Sequence, residues 1–130
     1  MECRLRSSLS PHINSGYEVL FRCFNGGGWY GDIVRWNGPL NDFTALLHVT
    51  TGNLVDNDVI KATIVGAVIK GFINDVEVMS WDTTSDTAPT SGAGPARYRS
   101  GLPGIGFFQN NGSSSLLTDF GIRSLTITAY

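Results

Sequence analysis

The first 22 residues carry three arginines and two glutamates with the chemistry to recognise an acidic polymer. Arg4 and Arg6 alternate with Glu2 in one segment, and Glu18 and Arg22 share a second. Guanidinium groups make bidentate contacts to carboxylates and sulfates, so a sheet face that collects arginines suits acidic glycans. A solvated face of Glu/Arg pairs accounts for the same residues without any ligand. Trp36 occupies the same alternate positions as Asp32 and Tyr30, so the three can line one face of a strand. Flat rings bury the C–H faces of pyranoses, while core packing is the other use of Trp in a small sandwich. The candidate glycan-binding set is therefore Arg4, Arg6, Glu18, Arg22, Asp32 and Trp36.

Other chemistry is less well provided for. Glycoside hydrolysis needs two carboxylates flanking the bond. The nearest approach is Asp75-Val76-Glu77, where Asp75 belongs to a turn. His12 and His48 are the two histidines, the first in a turn and the second on a strand, where a structural role is the commoner one. No catalytic residue is expected. Asp56-Asn57-Asp58 and Asp82 with Asp86 could ligate calcium, but their spacing fits no specific calcium loop and turns attract Asp and Asn anyway. No cofactor and no metal is therefore expected. Gly101 to Gly106 reads Gly-x-x-Gly-x-Gly without the following helix and Lys of a phosphate loop. Asn111-Gly112-Ser113 is a glycosylation sequon, meaningful in a secreted eukaryotic protein.

The elements that must position these residues are strands. Cys3, Leu5 and Leu9 alternate with polar residues, and after a turn from Ser10 to Gly16 the alternation resumes at Tyr17, Val19, Phe21 and Cys23. Folding about Ile13 predicts a hairpin with Leu9 opposite Tyr17, Leu5 opposite Phe21 and Cys3 opposite Cys23. Arg4 then faces Arg22, a like-charge pair that needs an anion or a Glu between them. Cys3 and Cys23 could form a cross-strand disulfide or pack as two buried thiols. Further strands are predicted at Tyr30 to Trp36, Phe43 to Val49, Val59 to Val65, Val68 to Phe72, Val76 to Trp81, Gly104 to Phe108 and Phe120 to Tyr130. Asn74-Asp75 sits where a tight hairpin requires two positive-φ residues. A loop from Asp82 to Gly101, rich in Thr, Ser, Pro and Gly, is long for a compact domain. A helical turn fits only Ser113 to Leu117. The chain opens inside a strand, which leaves an unpaired edge through which copies could associate as a homo-oligomer.

Bulk properties bound the class. A chain of 130 residues suits one domain with one core. Its 15% charged residues, 42% hydrophobic residues and 16 glycines favour strands and exclude a disordered chain. A net charge of −2 provides no basic field for nucleic acid or an anionic membrane. No apolar run approaches the ~20 residues of a membrane helix, and the first six residues lack a signal core.

Four runs resemble the concanavalin A-like lectin/glucanase domains, including laminin-G-like ones. They are Ile33 to Leu40, Asp58 to Gly66, Val68 to Val78, and Gly101-Leu102-Pro103-Gly104-Ile105-Gly106-Phe107. In those domains the third run is a strand, a tight hairpin and a strand, and the last begins a strand near the C-terminus. The resemblance implies an antiparallel jelly-roll sandwich over residues 1–130, apparently lacking the family's N-terminal strands. Asp75 stands where Gly is usual, and residues 89–100 look like an insertion. Of the activities that the resemblance implies, non-catalytic binding of a polysaccharide or glycan fits these residues best, within a larger extracellular or virion-associated protein. A polysaccharide lyase or glycoside hydrolase fragment is an alternative. Glu2-Cys3-Arg4-Leu5-Arg6 faintly echoes the Arg-x-Glu-x-Arg strand of jelly-roll lyases, but their Gln-x-His strand has no counterpart. A structural or oligomerisation domain is the third reading.

Overall fold

The structure, a computed structural model, describes residues 1–23, 29–50, 54–55, 57–86 and 98–106; of Cys23, Trp29 and Tyr30 only the backbone is described. Among these residues the strands are β1 (Glu2–Ser10), β2 (Ile13–Cys23), β3 (Trp29–Pro39), β4 (Phe43–Val49), β5 (Ile60–Val65), β6 (Val68–Ile73), β7 (Val76–Asp82) and β8 (Leu102–Gly106). A single 3-10 turn, Thr83–Ser85, follows β7. The predicted strand at 120–130, the helical turn at 113–117, the sequon and most of the long loop lie outside the described residues.

Two antiparallel sheets form. One has five strands in the order β4-β3-β2-β1-β8, the other three in the order β5-β6-β7. Alternation decides which side of each strand faces the other sheet. Leu5, Tyr17, Val19, Phe21 and Ile33 from the larger sheet pack against Ile69 and Met79 from the smaller one. Each such side chain contributes roughly 1.5–3 kcal/mol on burial. This is an all-β sandwich with the core between its sheets. Asn74 (φ 50°) and Asp75 (φ 64°) both adopt the left-handed conformation in the turn joining Ile73 to Val76, as that position requires.

The first hairpin differs from the predicted register. Leu5 pairs with Tyr17, Cys3 with Val19 and Arg4 with Glu18. The turn is Pro11-His12, with His12 at φ 66°, and it closes the hairpin at Ser10 and Ile13 instead of through the longer loop read from the sequence. A bulge between Leu5 and Ser8 absorbs one further residue. The Arg4–Arg22 repulsion is thereby replaced by an Arg4–Glu18 attraction. The slip of four residues leaves Glu2 to Leu5 on their predicted faces, because the period of a strand is two. Beyond the bulge, Leu9 pairs with Asn14 and is exposed instead of facing the core with Leu5.

Two more expectations are corrected. Cys3 is free and faces Val19 rather than Cys23. Burial pushes its thiol up to about 11, with the N-terminal ammonium opposing and Glu18 adding to the rise. Thiolate is the reactive form, so in a Cys23→Ser variant Cys3 should alkylate far more slowly at neutral pH in the native protein than in urea. Equal rates would show that Cys3 is not packed. The predicted open edge of β1 is also occupied, since β8 pairs along it from Glu2–Gly106 to Ser7–Leu102. The described sheet edges are β4 and β8 on one sheet, β5 and β7 on the other.

Candidate functional site

The face of the five-stranded sheet turned away from the core collects most of the candidate residues. Cross-strand register arranges them in three rungs. Glu2, Leu20, Asp32 and His48 lie in one. Arg4, Glu18, Val34 and Ala45 form the next. Gly16, Trp36 and Phe43 form the third. Arg22 shares the face two residues beyond Leu20 on β2, opposite Tyr30.

Glu2, Arg4, Glu18 and Trp36, drawn from all three rungs, are tied into one largely buried cluster. Arg4 Nη2 donates to Glu2 Oε2 at 2.6 Å, and Arg4 Nη1 lies 3.1 Å from Glu18 Oε2. That second contact is close enough for an ion pair but misaligned, so Nη1 has no hydrogen-bond acceptor among the described residues. Trp36 Nε1 donates to the same Glu18 Oε2 at 2.6 Å, and the Arg4 guanidinium sits 4.9 Å from the Trp36 ring centroid. The side chains of Glu2 and Glu18 are only 7% and 5% exposed. Burial pushes the Glu18 carboxyl above the usual glutamate range and the Glu2 charge adds to the rise, against the pull of Arg4 and the Trp36 N–H. Space for this cluster comes from β8, where a Cβ on Gly106 would lie 2.5 Å from Glu2 Oε2.

The exposed part of the face runs along β3 and β4. Phe43 is 54% exposed and tilts against the half-buried Trp36, with ring centroids 5.5 Å apart. Four residues back along β3, Asp32 Oδ1 meets His48 Nδ1 at 2.5 Å. Ala45, also exposed, lies on β4 between the two pairs. Sequence alternation alone would put His48 and Phe43 on opposite faces of β4. A bulge at Leu46, where Val34 pairs with Ala45 but Ile33 with Leu47, turns His48 onto the face of Phe43.

Of the six candidates, Arg4, Glu18 and Trp36 are brought into direct contact, while Asp32 and Arg22 share their face. Arg6 does not join them. It sits in the β1 bulge with φ 49°, and its guanidinium donates to the carbonyls of Gly66 at 2.8 Å and Tyr98 at 3.3 Å. The calcium candidates are spent on local structure. Asp82 Oδ1 accepts from Thr84 N, Asp58 accepts from Val55 N and Asn74 Nδ2, and Asp86 pairs with Arg35. Asp56 lies outside the described residues. Among those residues, no three His, Cys, Asp or Glu side chains converge as ligands for a metal.

Comparison with protein families, curated proteins and solved structures finds no match. The geometry therefore stands alone.

A second charged network escaped the sequence reading. Arg35 points into the sandwich, where it ion-pairs with Asp86; both side chains are 1% exposed. Arg35 Nε donates to Asn37 Oδ1 at 2.9 Å and Nη2 to Thr44 Oγ1 at 3.3 Å. Tyr17 Oη donates to Asp86 Oδ2 at 3.5 Å and accepts from Tyr98 N at 3.3 Å. Burial raises the Tyr17 hydroxyl above its ordinary value and the Asp86 charge adds to the rise. The signal was available: Arg35 alternates with Ile33 and Gly31, positions that face inward, while Trp36 and Val34 face outward.

Proposed function

We propose that this chain is a non-catalytic glycan-binding module that holds its ligand along the exposed flank of β3 and β4. The observation that carries the reading is the exposed Phe43 ring set against Trp36, with the Asp32–His48 pair on the same face. Aromatic rings accept the C–H face of a sugar. A carboxylate and an imidazole supply the convergent acceptor and donor for its hydroxyls. The buried Glu2–Arg4–Glu18 cluster acts behind the site, holding the Trp36 indole through its N–H.

On this reading the sandwich is of the concanavalin A-like jelly-roll kind and belongs to a larger extracellular or virion-associated protein. Support comes from the run Val68 to Val78, which forms the strand, tight turn and strand that the resemblance implies, and from Gly101 to Gly106, of which Leu102–Gly106 form strand β8. Cleavage has less behind it. Glu2 and Glu18 are the carboxylates that the face brings together, yet both are held by one arginine and nearly closed to solvent, whereas hydrolysis needs two that reach the glycosidic bond. Association through the β1 edge loses its premise because β8 occupies that edge.

The test is retention on immobilised polysaccharides, with product assayed in the same samples. Phe43→Ala removes an exposed ring that packs on no core residue, and it should weaken retention roughly tenfold, equivalent to about 1.4 kcal/mol of lost apolar contact. Unchanged retention would remove the site from β3–β4. Retention on no polymer would remove the function, and released product would replace binding with catalysis.

A further inference from the structure

We infer that the ligand is an uncharged, hydroxyl-rich glycan chain rather than a uronate or sulfated polymer, an inference that rests on the glycan-binding reading above. Arginine count alone points the other way, and the geometry reverses it. Arg4 is ion-paired with Glu2 and Glu18 and lies against the Trp36 ring with its side chain 11% exposed, so burial closes its guanidinium, the unpaired Nη1 included, to an incoming anion. Arg6 is spent on the carbonyls of Gly66 and Tyr98. Arg35 is buried with Asp86. Arg22 is itself engaged. An acidic sugar needs a guanidinium able to form a bidentate pair, and among the described residues Arg4, Arg6 and Arg35 are committed elsewhere.

What the flank does offer is a carboxylate beside an imidazole. The Asp32–His48 pair is neutral when the imidazole is protonated and anionic otherwise. In neither state does the pair carry net positive charge to draw a second carboxylate, whereas both partners bond well to hydroxyl groups. With His48 56% exposed, the pair is within reach of a ligand lying on the sheet. Asp32 and Trp36 are four residues apart on β3, roughly 13 Å along the strand. That is longer than one sugar ring, so the aromatic pair and the Asp–His pair contact different residues of one chain. The occupant is an oligosaccharide with an apolar ring face at one end and hydroxyls at the other.

The experiment passes the whole chain over neutral polymers (a β-glucan and a mannan) and uronate polymers (an alginate and a pectate), each at low and high salt. Expected is retention on a neutral polymer, little changed by salt because no ion pair is formed. Short oligomers of that polymer should compete better than its monosaccharide, and Asp32→Asn should weaken retention about tenfold. Salt-sensitive retention on the uronates alone would overturn the inference while leaving glycan binding intact. Competition by the monosaccharide as strong as by the oligomer would overturn the two-contact chain. Retention on nothing would overturn the underlying reading, and the inference with it.

Discussion

Arg35→Ala should lower the unfolding free energy by about 3–5 kcal/mol, the usual cost of removing one partner of a buried ion pair. Asp86 would be left charged at a position 1% exposed, with Tyr17 Oη at 3.5 Å as its remaining partner among those described. Asn37 Oδ1 and Thr44 Oγ1 would each lose a donor as well. Domain stabilities are about 5–15 kcal/mol, so the variant should unfold at far lower urea or not fold at all. The comparison that makes this decisive is Arg35→Met combined with Asp86→Leu. Replacing both charges with apolar groups of similar volume removes the desolvation cost along with the attraction, and most of the stability should return. A loss under about 1 kcal/mol for Arg35→Ala would place the pair in solvent. The network matters for the site because Arg35 and Trp36 are neighbours on β3. Tyr98 Oη also donates to the Trp36 carbonyl at 2.8 Å, so the strand carrying the proposed sugar platform is held from its inner side.

Gly16→Ala should be nearly as damaging, costing roughly 2–5 kcal/mol from backbone strain and overpacking together. Gly16 has φ 113°, a conformation that side-chain-bearing residues rarely adopt. A Cβ there would also lie 2.6 Å from the Arg6 carbonyl oxygen and 2.6 Å from Ser7 Cα. Those atoms belong to the β1 bulge, and backbone cannot swing aside as a flexible side chain can. The bulge turns Arg6 away from Arg4 and toward Gly66 and Tyr98. If the variant folds by opening the bulge, thermal unfolding will show the loss and Arg6 will be released from those two carbonyls. A melting temperature within a degree or two of the parent would show that the hairpin accommodates a side chain at 16, contrary to this packing.

By itself the sequence determined the class of fold and the face of most residues. Alternation placed Leu5, Tyr17, Val19 and Phe21 on one side and Glu2, Arg4, Glu18 and Arg22 on the other, and both groupings hold. β4 and the positive-φ turn at Asn74-Asp75 were legible for similar reasons, one from the strand period and the other from turn chemistry. Partners were not legible, because a period of two encodes a face and not a register. A slip of four residues costs no change of face, so Leu5 meets Tyr17 instead of Phe21, and Arg4 meets Glu18 instead of Arg22.

Only the tertiary structure decided the charge character of the site. Two bulges, each adding one residue to a strand, did most of that work. The one in β1 removed Arg6 from the arginine face, and the one at Leu46 brought His48 beside Asp32. Bulges answer to how neighbouring strands and loops must meet, and alternation along a single segment carries no record of that. The pairing of β8 with β1 and of Arg35 with Asp86 joins positions 51 or more residues apart. Contacts of that range form because the closed sandwich brings the groups together and leaves a buried charge with no cheaper partner.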